Sequence, residues 1–446
     1  MNILIVGNGF DLSHYLPTKY DHFMVAMTAI ENWDEQNGEM SFDDLFGSLY
    51  EKENYFFKYT KAMYQTDEIK ISIDQVKGLK QQLEENVWYQ YFSDHVREVK
   101  TWIDFETKIS EALKIVANFL VQLESTIYEF GSFSTEICFY GQKKQKQIFL
   151  TREYCNALKL FKILESGYYI DQEDYDEDGN SCNIPIDIGD PDVGDLRFFI
   201  NHIYILFQSG FSKIKVDQIL SELYAQLDDF IEFFNHYLEC VVNQLTSLKT
   251  LQIGNNDWVY PDLIYSFNYT STYARLHNSV KIEYLHGSHG KYQNIVLGVS
   301  DLEHENLKKL KAYGFTKYHQ KLLKNTDYMF LSEGSDVKNK IKLNKKNVMN
   351  RKNINFFVWG HSLDVSDEVY INELFDLNND SDYFVRVKVF HFNNQAKFDL
   401  LTNLLHILGK EKVEKWMKNG WLKFEPNPNV VELNNIEPVD LPKFEK

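Results

Sequence analysis

Four short apolar runs in this chain stop at residues able to carry chemistry. Ile3–Val6 runs into Gly7-Asn8-Gly9-Phe10-Asp11, and Leu263–Phe267 into Asn268-Tyr269-Thr270. Ile282–Leu285 stops at His286-Gly287, and Ile354–Trp359 at Gly360-His361-Ser362. Glycines at such an end let the backbone approach a ligand and aim N–H groups at phosphate. A plain strand-to-helix turn explains Gly7 and Gly9 as well, because Leu12 stands where the dinucleotide fingerprint has its third glycine. Asn268 either faces a ligand crevice or caps the next helix. His286 has the side chain suited to proton transfer near neutral pH, with a satisfied structural histidine as the alternative. Gly360-x-Ser362 offers a backbone N–H and a hydroxyl to a ribose or phosphate. A serine-hydrolase reading fails there, since the second glycine of a nucleophile elbow is missing. Asp367 sits where it, or Ser366, can cap the helix that follows.

Continuous apolar runs of this length are the mark of parallel strands buried on both faces, and ligands bind beyond the carboxyl ends of such strands. Ile295–Leu297 and Val385–Phe392 read as further strands. From about residue 40 to 250 the pattern is helical. Val99, Trp102, Glu106, Ile109, Leu113, Val116, Leu120 and Leu123 form one stripe at spacings of three and four, and Glu106 is its polar member. A carboxylate on such a face either pairs with an arginine or lysine or lines a wet cleft. The expected organisation is a split α/β domain over 1–35 and 251–425, an all-helical insertion over 36–250, and an extended tail over 426–446. Asp171–Asn180 carries Asp174, Asp176, Asp178 and Gly179 at calcium-loop spacing, but Pro185 takes the place of the closing glutamate, so the segment reads as a solvated acidic loop.

The 446 residues are 44% hydrophobic and 15% aromatic, enough for a large core. A net charge of −18, from 65 acidic and 47 basic side chains, repels phosphate backbones and argues against nucleic acid as a partner. An anionic ligand must then be held by local backbone N–H groups. Cys138, Cys155, Cys182 and Cys240 form no C-x-x-C pair, which speaks against a zinc ribbon or a disulfide framework and fits a reducing cytoplasm. With no basic leader and no apolar stretch of membrane length, a soluble cytoplasmic protein without membrane partners is expected.

Taken together, GNGFDLSHYLPTKYDHF, WIDFE, SFNYTSTYARL, YLHG and WGHSLDVSD resemble the AbiH family of bacterial abortive-infection proteins, in order and over most of the chain. The strand ends also resemble, more distantly, sirtuin-like domains that bind NAD and cleave its nicotinamide bond. That second resemblance implies a Rossmann-like parallel sheet of sirtuin type, with NAD as substrate and no metal. It places Gly7, Asn8, Gly9, Phe10 and Pro17 around the dinucleotide, Asn268 and Asp11 at the ribose, and His286 before Gly287 as base. Gly360 and Ser362 fall on the adenosine side; His361 and Asp367 of the same segment are expected to join the cofactor site, and Glu106, read from its helical stripe and not from the resemblance, is expected to face the cleft. Two departures stand out: Asp11 replaces a small hydroxyl residue, and the four-cysteine zinc module of true sirtuins is absent, so NAD hydrolysis rather than protein deacylation is implied. The alternative is a module that senses NAD or ADP-ribose without cleaving it. A homo-oligomer and a phage-derived trigger both stay open as partners.

Overall fold

A computed structural model describes residues 1–95, 102–138, 146–175, 181–187, 195–208, 211–254, 257–326, 330–347, 349, 351–379 and 383–443. Val99 of the helical stripe and the end of the acidic segment, 176–180, lie outside these residues.

Six strands form one sheet: β1 (Asn2–Val6), β2 (Leu263–Ser266), β3 (Ile282–Tyr284), β4 (Ile354–Trp359), β5 (Val385–His391) and β6 (Leu422–Pro426). Every neighbouring pair is parallel, and the order across the sheet is 3-2-1-4-5-6. The register sets Val6 beside Ser266 and Trp359, and Ser266 beside Tyr284, so the ends of β1 to β4 emerge together. Strand β1 explains why the run is apolar throughout. Leu4 and Val6 pack into the core shared with the insertion, whereas Ile3 and Ile5 pack into a second core on the opposite face. Helix α1 (Asn8–Ser13) follows β1 at once. The stripe containing Glu106 lies on α2 (Trp102–Phe130), and α3 (Lys317–Lys324) and α4 (Glu368–Phe375) complete the elements around the strand ends.

Four expectations need correction. The insertion is not all-helical: it holds a five-stranded sheet built from Glu136–Cys138, Ile148–Phe149, Leu164–Tyr175, Ser181–Asp187 and Asp195–Ile200. Cys182-Asn-Ile184-Pro-Ile186-Asp187 does alternate with period two, but the surrounding acidic residues mask the pattern, and Asp171–Tyr175 belongs to a strand of this sheet. Ile295–Leu297, although buried, is not a strand; the amide of Gln320 accepts from Leu297 N–H and donates to Leu297 C=O, both at 2.9 Å, where a neighbouring strand would otherwise pair. Strand β6 at the sheet edge was not anticipated, and within the segment after it Val430–Leu433 is helical rather than extended. Among the described residues no helix is long and apolar enough to cross a membrane.

Candidate functional site

The two glycine turns at the ends of β1 and β4 pack directly on each other. Gly7 N–H donates to Trp359 C=O at 3.1 Å, Gly9 N–H to Gly360 C=O at 2.9 Å, and Phe10 N–H to Gly7 C=O at 2.8 Å. A Cβ on Gly7 would lie 2.6 Å from His361 Cα, and one on Gly9 2.7 Å from Gly360 Cα. Gly360 has φ +75, and a Cβ there would lie 2.0 Å from Phe10 N. Glycine is therefore required here for backbone-to-backbone contact, and these three N–H groups are consumed inside the protein instead of pointing at a ligand. The Phe10 ring is buried against His14 and Trp359, with centroids 4.5 and 4.9 Å away. Pro17 is buried too and accepts at its carbonyl from Tyr237 O–H, while Asn8 is half-buried at the start of α1.

Beside this junction the end of β2 supplies amide and hydroxyl groups. Asn268 Nδ2 donates to Gly7 C=O at 2.9 Å, so this side chain pins the glycine turn. Asp11 Oδ2 accepts from Thr270 Oγ1 at 2.6 Å, and Thr272 Oγ1 donates to Thr270 Oγ1 at 3.1 Å. Asp11 Oδ1 has no hydrogen-bond partner. Burial pushes the Asp11 carboxyl up to about 6, although Thr270 and Thr272 pull it down. Asp11, Ser266, Asn268, Thr270 and Thr272 line a cavity of about 10 Å³, room for a single water.

The histidines lie in a second, charged cluster. Strand β3 delivers His286, and Gly287 (φ +82) lets the chain cross Asn294, whose carbonyl a Cβ would meet at 2.1 Å. Asp367, at the start of α4, lies between two imidazoles. His286 Nε2 is 3.1 Å from its Oδ1 and His361 Nε2 is 3.3 Å from its Oδ2. The 3.1 Å approach is off the line of a hydrogen bond, so His286 Nε2 and Asp367 Oδ1 are buried without one. Leu363 N–H donates to His361 Nδ1 at 2.9 Å, which leaves Nε2 as the ring N–H facing Asp367. The Phe267 ring packs on both histidines, at 4.0 Å from His361 and 5.2 Å from His286. Ser362 is exposed, with its carbonyl accepting from Asn403, and does not join the cluster.

Glu106 resolves as an ion pair: its Oε1 lies 2.6 Å from Lys317 Nζ, the first residue of α3. Four residues on, Lys321 Nζ meets the Tyr370 hydroxyl. Sequence reading missed both lysines and Tyr370. The available signal was the i, i+4 spacing of Lys317 and Lys321, which places both on one helix face.

The electrostatics separate these groups. Burial opposes ionisation of Asp367, yet His286, His361 and Lys317 hold its carboxyl well below the usual range. Burial, helped by Lys321 and Lys317, takes His286 down to about 4 against the pull of Asp367, so the ring is neutral at pH 7. Burial, then the carboxylates Asp367 and Asp364, push Glu106 up to about 7 despite Lys317. Burial disfavours the Lys317 charge, but Glu106 and Asp367 outweigh it and hold the ammonium protonated. Among the described residues no three His, Cys, Asp or Glu side chains are grouped to hold a metal ion. A surface groove of about 680 Å³, lined by Glu124, Ser125, Tyr128, Glu129 and Lys309, shares no residue with either cluster.

A family model described as bacteriophage abortive infection AbiH matches residues 3–390. No curated protein and no solved structure gives a match.

Proposed function

The chain belongs to the bacteriophage abortive infection AbiH family, and on that premise we propose that it acts by hydrolysing NAD to ADP-ribose and nicotinamide at the charged cluster. The carrying observation is the separation of three buried acid–base groups at the strand ends: Asp367 held anionic, His286 neutral, and Glu106 near 7. Groups pushed apart in this way are how one site keeps an acid, a base and a fixed charge at one pH. The strand order 3-2-1-4-5-6 supports the same reading, because it is that of the doubly wound dinucleotide-binding fold, whose ligands lie at the switch point. Here that point falls between β1 and β4.

In the proposed reaction the C1′–N bond breaks with its electron pair going to the pyridine nitrogen, and nicotinamide leaves neutral. The ribose carries oxocarbenium charge, which the anionic Asp367 and an ionised Glu106 stabilise. Asp367 attracts the Nε2–H of neutral His286, and the other ring nitrogen takes the proton from the water that attacks C1′. Asn268 and Asp11 would serve the ribose, Asn268 also shaping the Gly7 turn. The protein would act in the cytoplasm, on a nucleotide, in response to a phage-derived trigger.

A second reading is nucleotide sensing without cleavage; the consumed glycine N–H groups and the cavity of only about 10 Å³ speak against a preformed nucleotide pocket in either reading. One experiment separates the two. Purified protein is incubated with NAD, with and without phage lysate, while free nicotinamide and bound NAD are both measured. Release of nicotinamide that Asp367→Asn abolishes supports hydrolysis, and retention of intact NAD supports sensing. No release and no binding under either condition refutes both.

A further inference from the structure

Helix α3 is inside out. Lys317, Gln320, Lys321 and Lys324 stand at i, i+3, i+4 and i+7, the spacing that an apolar stripe has when it faces a core. In this helix that polar stripe is the inward one: Lys317, Gln320 and Lys321 are 6%, 0% and 7% exposed. The opposite face carries Tyr318, Leu322 and Leu323 at 64%, 44% and 60% exposure. An eight-residue helix thus gives up the burial of three large apolar side chains and inserts Lys317 beside Glu106 and Lys321 against Tyr370. The chain turns through left-handed residues on both sides of it, Lys311 (φ +56) and Asn325 (φ +51).

What the inward face occupies is informative. Lys317 Nζ sits on Glu106 Oε1 at 2.6 Å, within the field of Asp367 and Asp364. Gln320 latches the helix to Leu297, and Lys324 Nζ donates to Ile295 C=O at 2.9 Å and pairs with Asp228 at 3.1 Å. The cavity of about 10 Å³ at the end of β2 holds no more than a water, and Lys317 fills the place beside Glu106, so another cation reaches that carboxylate as Lys317 leaves it.

We propose that Glu106 and Asp367 form a subsite for a positively charged group of the ligand, and that Lys317 is its built-in occupant, carried on a helix that rolls about its axis to vacate it. The roll exchanges the two faces. Lys317 and Lys321 turn out to water, where their charges are solvated, while Tyr318 and Leu322 turn in. The cation that replaces Lys317 meets the same carboxylates; a pyridinium or a protonated amine fits this chemistry, and a phosphate does not. This deepens the reading of the charged cluster as the functional site and rests on it, but it requires no turnover.

The test reads lysine accessibility in the full-length protein. Short pulses of an acetylating N-hydroxysuccinimide ester are followed by peptide mass mapping, with the 74%-exposed Lys281 as internal reference. N-methylnicotinamide chloride serves as the cationic probe, against sodium chloride at equal ionic strength. The probe is expected to raise Lys317 labelling several-fold relative to Lys281. Leu322→Gln/Leu323→Gln, which forfeits leucine burial in the rolled state, is expected to slow Lys317 labelling by roughly tenfold or more. Because both leucines are exposed at rest, its melting temperature should match the wild type. Labelling that responds to the probe but not to the leucines overturns the roll and keeps the subsite. Labelling that responds to neither overturns the proposal, whether or not the protein cleaves NAD.

Discussion

Gly360→Ala separates the two roles that a glycine turn can have. If Gly7, Gly9 and Gly360 exist to cradle a ligand, alanine at 360 weakens binding and leaves the fold alone. If they exist to let two turns touch, alanine costs stability. A residue with a side chain at φ +75 costs about 1–2 kcal/mol. The new methyl would also lie 2.0 Å from Phe10 N and 2.3 Å from Gly9 C, backbone atoms with no freedom to swing aside. Moving them apart breaks the Gly7–Trp359 and Gly9–Gly360 hydrogen bonds, each worth about 0.5–1.5 kcal/mol. The sum is about 2–5 kcal/mol, or roughly a 4–10 °C drop in melting temperature at about 2 °C per kcal/mol. Gly38 is the matched control: φ is +76 and nothing lies within 4 Å of an added Cβ, so Gly38→Ala carries only the left-handed cost. Thermal unfolding followed by circular dichroism measures both variants. A Gly360→Ala protein that melts no lower than Gly38→Ala refutes the packing account and returns the glycines to a ligand.

His286→Ala should lower nicotinamide release by roughly 10²–10⁴-fold with the fold retained, as a coupled assay and circular dichroism would read; turnover at the wild-type rate removes His286 from the mechanism. Asp11 should make the protein less stable as pH rises. Its folded value, about 6, exceeds the ordinary 3.8, so its stabilising contribution is complete below 3.8 and is lost through 6. The loss approaches about 3 kcal/mol at pH 8. Asp11→Asn should therefore gain more in melting temperature at pH 8 than at pH 4, and an equal gain at both would contradict a buried, strained carboxylate. Asp367→Asn removes the charge between His286, His361 and Lys317 while keeping its shape. It should cost about 1–3 kcal/mol in urea unfolding, less than a fully orphaned buried charge because Lys317 keeps Glu106, and an unchanged midpoint would deny the cluster any internal coupling.

Five of the six sheet strands, and the chemistry at four of their ends, were legible in the sequence because a strand buried on both faces must be apolar throughout and must stop where polar groups begin. The membership of the charged cluster was only half legible. His286, Asp367 and His361 belong to segments already marked by glycines, and Glu106 was marked by standing alone on an apolar stripe. Lys317 and Lys321 carried only their i, i+4 spacing, which puts them on one helix face but ordinarily marks a face turned to water. The five-stranded sheet of the insertion was hidden because two of its strands, Leu164–Tyr175 and Ser181–Asp187, flank or enter a run of acidic residues that reads as loop.

The amino-acid sequence by itself determined the family, the parallel sheet and the presence of acid–base residues at its edge, because these follow from local patterns of two, three and four residues. Only the tertiary structure decided how those residues are used. It turned the glycine N–H groups inward, bound Asn268 to a backbone carbonyl, and placed a lysine on Glu106. Those outcomes depend on contacts between positions up to hundreds of residues apart, and no local period encodes them.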